Sequence, residues 1–148
     1  MKRLSFLLLI LIATLSCASQ QKLDWNSVSI QYTALSRGYF QKIEIRNQQI
    51  WISNVRKKKP VQKAINKSDW VAIQKQVEVF SLDQLSTFKA PTQERFHDGA
   101  PIGNLIITTK EKEYQTSGFD HGHPPKEIEK LVTLILKLNT TREQNSEE

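Results

Sequence analysis

The side chains of this 148-residue chain whose types and spacing bear most on chemistry are its three histidines, two of its aspartates and its single cysteine. His97-Asp98-Gly99 and Asp120-His121-Gly122-His123 hold every histidine and flank one expected hairpin. Strands that run antiparallel across a short turn bring their far ends together, which places Asp98 and Asp120 on one edge. Imidazole suits Zn²⁺ or Ni²⁺, so His97, His121 and His123 are candidate metal ligands. One reading is therefore a metal-binding protein or metal-dependent hydrolase that uses the His97/Asp98 and Asp120/His121/His123 loops. The weightier reading is a polar, hydrogen-bonded loop pair, with His121 and His123 shaping a helix entry among glycine and prolines, and Asp120 a local cap. No cofactor is expected.

A conventional nucleophile is missing. The sequence has no Gly-x-Ser-x-Gly elbow, no His-Glu-x-x-His helix and no glycine-rich phosphate loop, and Ser117 is too close in sequence to Asp120 and His121 to indicate a triad. This favours a protein without catalytic activity. Ser36-Arg37-Gly38-Tyr39-Phe40 sets an arginine and two aromatics at a hairpin turn, and these residue types supply binding hot spots. Arg37, Tyr39, Asp98 and Asp120 are accordingly candidate binding residues. The basic run Arg56-Lys57-Lys58-Lys59, with Lys63 and Lys67, reads first as solvated charge that keeps a sheet edge from aggregating. As a binding feature in an exported chain it would meet lipid head groups, acidic glycans or acidic proteins, not nucleic acid.

Export is the reading of the N-terminus. Met1-Lys2-Arg3 supplies a positive start, Leu4 to Leu15 an apolar run, and Ser16-Cys17-Ala18 small residues at its end. A spanning helix needs roughly 20 apolar residues, so this run is too short for a permanent anchor. Ala13-Thr14-Leu15-Ser16-Cys17 resembles the lipobox of bacterial lipoproteins, which implies cleavage before Cys17 and acylation of its thiol and amine. A membrane anchor through Cys17 follows, and Ala18 behind the cysteine favours the outer membrane. The alternative is cleavage after Ala18 and a secreted or periplasmic chain. Cys17 is the only cysteine, so no disulfide supports the mature domain. The formal charge of +6 becomes +4 once Lys2 and Arg3 are removed, a modestly basic balance.

The elements that must position these residues follow from period and punctuation. Apolar content of 39% and charged content of 24% are ordinary for one globular domain. Val28 to Ala34, Tyr39 to Ile45 and Gln49 to Ser53 alternate as strands of an antiparallel meander, with Val61 to Ile65 as a short edge strand. Ser68 and Asp69 read as a helix start, with Trp70, Ile73, Val77 and Phe80 on the face toward the sheet. Asn104 to Thr109 and Glu113 to Ser117 form the second hairpin, followed by a loop from Phe119 to Pro125. A last helix carries Ile128, Leu131, Val132, Ile135 and Leu138 on its inner stripe. The expectation is an α+β fold: an antiparallel sheet of about five strands under two helices, in the order strands, helix, strands, helix. The divisions are a signal peptide at 1–16, a lipidated N-terminus and linker at 17–26, a single domain at 27–139 and a polar tail at 140–148.

The chain beyond the signal resembles small uncharacterised envelope lipoproteins. More loosely, Arg37-Gly38-Tyr39-Phe40 opening a strand, Asp98 preceding another and Asp120 before a final helix resemble emfourin-type protease inhibitors. That second resemblance implies that loop residues around Arg37, Asp98 and Asp120 meet a protease. The functional expectation is a non-catalytic envelope lipoprotein that binds a protein or glycan, with protease inhibition as its sharper form.

Overall fold

A computed structural model describes residues 23–140. The signal segment, Cys17 and the tail from residue 141 lie outside the described residues. Alternation dictates the first three strands, β1 (Ser29–Leu35), β2 (Phe40–Arg46) and β3 (Gln49–Ser53). Every second residue of each turns inward, so Ile30, Tyr32, Ala34, Ile43, Ile45, Ile50 and Ile52 are buried. Asn47 and Gln48 join β2 to β3 with φ of 47° and 58°, the two-residue turn whose twist suits a hairpin. An edge strand, β4 (Val61–Ala64), completes the meander.

Helix α1 (Lys67–Val77) follows. Its cap is Asn66, not Ser68: the Asn66 side chain accepts from the Asp69 amide at 2.8 Å, and the Ser68 hydroxyl donates to that same oxygen at 2.6 Å. Ile73 and Val77 are fully buried, whereas Phe80 lies beyond the helix end. After 3₁₀ turns at Leu82–Thr87 and Glu94–His97, β5 (Ile102–Thr108) pairs antiparallel with β1 and so makes β1 the middle of the sheet. The chain ends its described course in a 3₁₀ turn, Lys126–Ile128, running into α2 (Glu129–Thr140), which buries Leu131, Val132 and Ile135. The fold is α+β as expected: one antiparallel sheet in the order β4-β3-β2-β1-β5-β6, packed on one face against two helices.

The sheet has seven strands where about five were expected: the six segments read as strands all form, the short edge strand included, and the segment expected as a loop from Phe119 adds the seventh. β6 (Glu113–Gln115) and β7 (Phe119–Asp120) both pair with β5 and form one interrupted edge strand. Ile106 faces Gln115, but Gly103 faces Phe119, so the outer strand carries one residue more than β5 over that interval. This is a β-bulge. Thr116 bridges it: its amide donates to the Leu105 carbonyl at 3.0 Å, and its hydroxyl accepts from the Leu105 amide at 3.0 Å. The slip turns Phe119 into the core, where its ring lies over Gly103. A Cβ at Gly103 would stand 2.7 Å from Phe119 Cε2, which only glycine avoids.

Because the Leu105 amide is buried with the Thr116 hydroxyl as its acceptor, Thr116→Val is expected to cost about 1–3 kcal/mol, the penalty of an orphaned donor. Thr116→Ser, which keeps the hydroxyl, should lose much less. Urea unfolding of the two variants checks this, and equal stability of Thr116→Val and the parent would remove the hydroxyl bridge from the account of the bulge.

Candidate functional site

The bulge sets the phase of the next three residues. With Phe119 inward, Asp120 turns to the opposite face of the sheet and His121 turns back to the helix face. Each then meets different chemistry.

Asp120 is completely shielded from solvent. Its carboxylate accepts from the Glu94 amide at 2.7 Å, the Arg95 amide at 3.0 Å and the Arg95 guanidinium at 3.0 Å. The Arg95 side chain also donates to the Thr92 carbonyl at 2.7 Å. Burial opposes ionisation of Asp120. The adjoining Thr92 hydroxyl and the Arg95 and Glu94 N–H groups outweigh it and hold the carboxyl well below the usual carboxylate range. Asp120 therefore clamps the 3₁₀ turn Glu94–His97 onto the end of the sheet, and the carboxylate faces the protein interior. Asp98 ends that turn in the left-handed region at φ 57° and is exposed, as is His97 beside it.

His121 lies between two phenols. Tyr32 Oη is 2.7 Å from Nδ1 and Tyr39 Oη is 3.2 Å from Nε2. A neutral imidazole has one donor and one acceptor. Tyr32 is fully buried, and its O–H is satisfied by donating to Nδ1, which leaves the proton on Nε2 to be donated to the Tyr39 oxygen. Burial, reinforced by Tyr39, pushes the Tyr32 phenol far above its ordinary range, and burial pushes His121 below the ordinary histidine value. The chain Tyr32–His121–Tyr39 thus stays neutral near pH 7.

Tyr39 carries this chain to the surface. The Ser36 amide donates to the Tyr39 carbonyl at 3.0 Å and closes the β1–β2 turn, with Arg37 exposed at its tip. Tyr39 falls on the helix side, while Phe40 falls on the other face under the Arg56 guanidinium, 5.1 Å from its ring centre. Arg56 also donates to the Ser36 carbonyl at 2.9 Å, so one member of the basic run braces this turn.

Between the turn and the end of α2 lies a groove of about 470 Å³, within the range of ligand sites. Tyr39, His121, Gln41, Asn54 and Asn139 provide its polar groups. Gln41 occupies an inward position of β2, is 5% exposed, and its Oε1 has no hydrogen-bond partner. Asn54 and Asn139 meet only through a long 3.4 Å contact from Nδ2 to Oδ1. Among the described residues no Asp, Glu, Lys or Arg lines the groove. The arrangement presents hydrogen-bond donors and acceptors without charge, together with the Tyr39 ring. Comparison with known proteins finds no matching family model, no matching curated protein and no matching solved structure.

The residues singled out in the sequence are thus dispersed. His121 and Tyr39 meet in the groove, Arg37 is exposed at the tip of the turn next to the lining residue Gly38, and Asp120 is buried on the opposite face of the sheet. His97, Asp98 and His123 are exposed, and among the described residues no group of three or more His, Cys, Asp or Glu is placed to hold a metal ion. Tyr32, Gln41, Asn54 and Asn139 were not anticipated. Gln41 and Asn139 did leave a signal, since each is a polar residue in phase with an apolar stripe: Gln41 with Ile43 and Ile45, Asn139 with Leu131 and Ile135.

Both shifted acids favour the ionisation state found at neutral pH, so both contributions to stability fade on acidification. The His121 contribution is complete above its unfolded value of 6.5 and is lost as pH falls through the lower folded value, because a protonated ring has no acceptor for the Tyr32 O–H. The Asp120 contribution is complete above 3.8 and is lost as pH falls through its still lower folded value. Urea unfolding across pH should show His121→Gln flattening the loss just below pH 6.5. Asp120→Asn should flatten the loss below 3.8 and be destabilised at neutral pH by on the order of 3 kcal/mol. An acid profile indifferent to both substitutions would contradict these roles.

Proposed function

We propose that this chain is a non-catalytic lipoprotein of the bacterial cell envelope, acylated at Cys17, whose α+β domain binds a protein or glycan at the groove beside Tyr39 and His121. The observation that carries the binding role is the Gln41 carbonyl oxygen, buried in the groove wall with no donor to satisfy it. An unmet acceptor at that depth costs stability, and a bound donor would recover it. Natural proteins retain such costs at functional sites more readily than elsewhere.

A role in binding also accords with the chemistry of the lining. Both ring nitrogens of His121 are engaged by phenols, so the imidazole holds position rather than standing ready to take a proton from a substrate. The remaining polar groups are amides and hydroxyls, which orient ligands without forming covalent intermediates. The anchor rests on the sequence: a positive start, a short apolar run and one cysteine where that run ends. Two or more acyl chains suffice for stable attachment. Among the described residues no helix is long and apolar enough to cross a membrane.

Mass spectrometry of the protein from membranes is expected to show a chain beginning at acylated Cys17, and Cys17→Ser should move the protein out of the membrane fraction. A free N-terminus at Ser19 would instead mean cleavage after Ala18 and soluble export. For the binding role, a photocrosslinking side chain at Arg37 or Asn54 in intact cells should give adducts. The same group at Lys110, at the opposite end of β5, should not. Equal labelling at all three positions would place no interface at the groove.

A further inference from the structure

The groove identifies its ligand by what its walls can and cannot satisfy. Among the described residues its polar side chains are the amides of Gln41, Asn54 and Asn139, the imidazole of His121, the phenol of Tyr39 and the hydroxyl of Thr140, none of them charged at neutral pH. A carboxylate, phosphate or ammonium placed there would lose hydration without meeting an opposite charge, which disfavours charged ligands. The wall instead needs a hydrogen-bond donor at Gln41 Oε1. It also offers loosely held amides at Asn54 and Asn139, whose 3.4 Å contact is easily exchanged for bonds to a ligand.

Two uncharged polymers fit such a lining, a peptide backbone and a neutral glycan. A peptide backbone is best held by adding a strand to an unpaired sheet edge. The strand at this groove, β2, is paired with β1 along its whole length and with β3 from Lys42 to Arg46, so the open edge here is only Phe40–Gln41, too short to hold an added strand. A pyranose ring makes no such demand. It supplies hydroxyl or acetamido donors around its rim and C–H faces that lie on aromatic rings, and the groove has space for one or two such rings.

Resting on the reading of the domain as an envelope binding module, we infer that the groove bounded by Tyr39, Gln41, Asn54, His121 and Asn139 is a saccharide subsite for uncharged pyranose units, with Gln41 Oε1 accepting from a sugar hydroxyl or acetamido N–H. Tyr39 then has two tasks: its ring offers a platform and its hydroxyl ties the platform to the Tyr32–His121 pair. Gln41 is the specificity-determining residue, since a ligand that lacks a donor leaves its oxygen as unsatisfied as before.

The test is an amide chemical-shift titration of the mature chain, made from residue 17 onward with Cys17→Ser so that it carries no acyl groups. The probes are maltotriose, cellotriose, tri-N-acetylchitotriose and tri-alanine amide with its N-terminus acetylated, all uncharged and each taken to millimolar concentrations. At least one trisaccharide should shift the signals of Tyr39, Gln41 and His121, and tri-alanine amide should not. Gln41→Leu should weaken saccharide binding by about tenfold or more, the loss of one well-placed hydrogen bond. The same substitution removes an unmet polar atom from the interior, so its thermal midpoint should equal or exceed that of the parent. Loss of binding with stability kept separates a ligand contact from a merely structural side chain. If tri-alanine amide shifts the groove and no trisaccharide does, the saccharide assignment is overturned while a binding module remains. If none of the probes shifts it, the saccharide assignment is overturned as well, and crosslinking at Arg37 and Asn54 then decides whether the groove binds anything.

Discussion

The single extra residue between Gln115 and Phe119 is the constraint on which the functional end of this domain depends. Strand side chains alternate with a period of two, so one inserted residue reverses every later assignment of inside and outside. Without it, Gly118 would face Gly103, with Phe119 and His121 outside and Asp120 directed toward the helices. With it, Phe119 fills the space that Gly103 leaves, Asp120 passes under the Glu94–His97 turn and His121 reaches Tyr32. A buried threonine holds the slip in place by lending its hydroxyl where a strand would have offered a carbonyl.

Two kinds of polar burial lie on either side of that strand, and they differ in energetic character. Asp120 keeps its charge because its hydrogen bonds converge on one carboxylate and a guanidinium faces it. Tyr32, His121 and Tyr39 remain neutral and satisfy one another in series from the core outward. The Tyr32–His121–Tyr39 chain is closed, with donors and acceptors matched, whereas beside Asp120 the buried Thr92 hydroxyl has no hydrogen-bond partner. In the groove Gln41 Oε1 is likewise left open and the Asn54–Asn139 contact is long. What sets Gln41 apart from Thr92 is that it lines a groove large enough to admit a further component.

Much of the fold was legible because it follows from local period. The alternation of Ile30, Tyr32 and Ala34, and the stripe of Leu131, Val132 and Ile135, each state which side is buried before any tertiary contact is known. The cap of α1 was misplaced by two residues, since Asn66 and Ser68 carry the same capping chemistry and only geometry ranks them. The strand at Phe119–Asp120 was missed for a deeper reason. It is two residues long, follows Thr116-Ser117-Gly118 and precedes glycine and prolines, so every local signal around it reads as loop. Its pairing is fixed by β5, far off in neither space nor sequence but invisible to periodicity. The site was hidden with it. Asp98, Asp120, His97 and His123 drew attention as chemically able types, yet the groove is built from three amides, a phenol and the imidazole of His121, and two of the amides, Gln41 and Asn139, stand at apolar positions of otherwise regular elements.

The most direct measurement is the set of side-chain proximities at the bulge, read from nuclear Overhauser effects in the mature domain. Phe119 ring protons should show strong cross-peaks to the Gly103 α-protons, and the His121 ring should show cross-peaks to both the Tyr32 and Tyr39 rings. A spectrum in which Gly103 instead meets Gly118, with the Phe119 and His121 rings solvent-facing, would contradict the bulge and with it the groove.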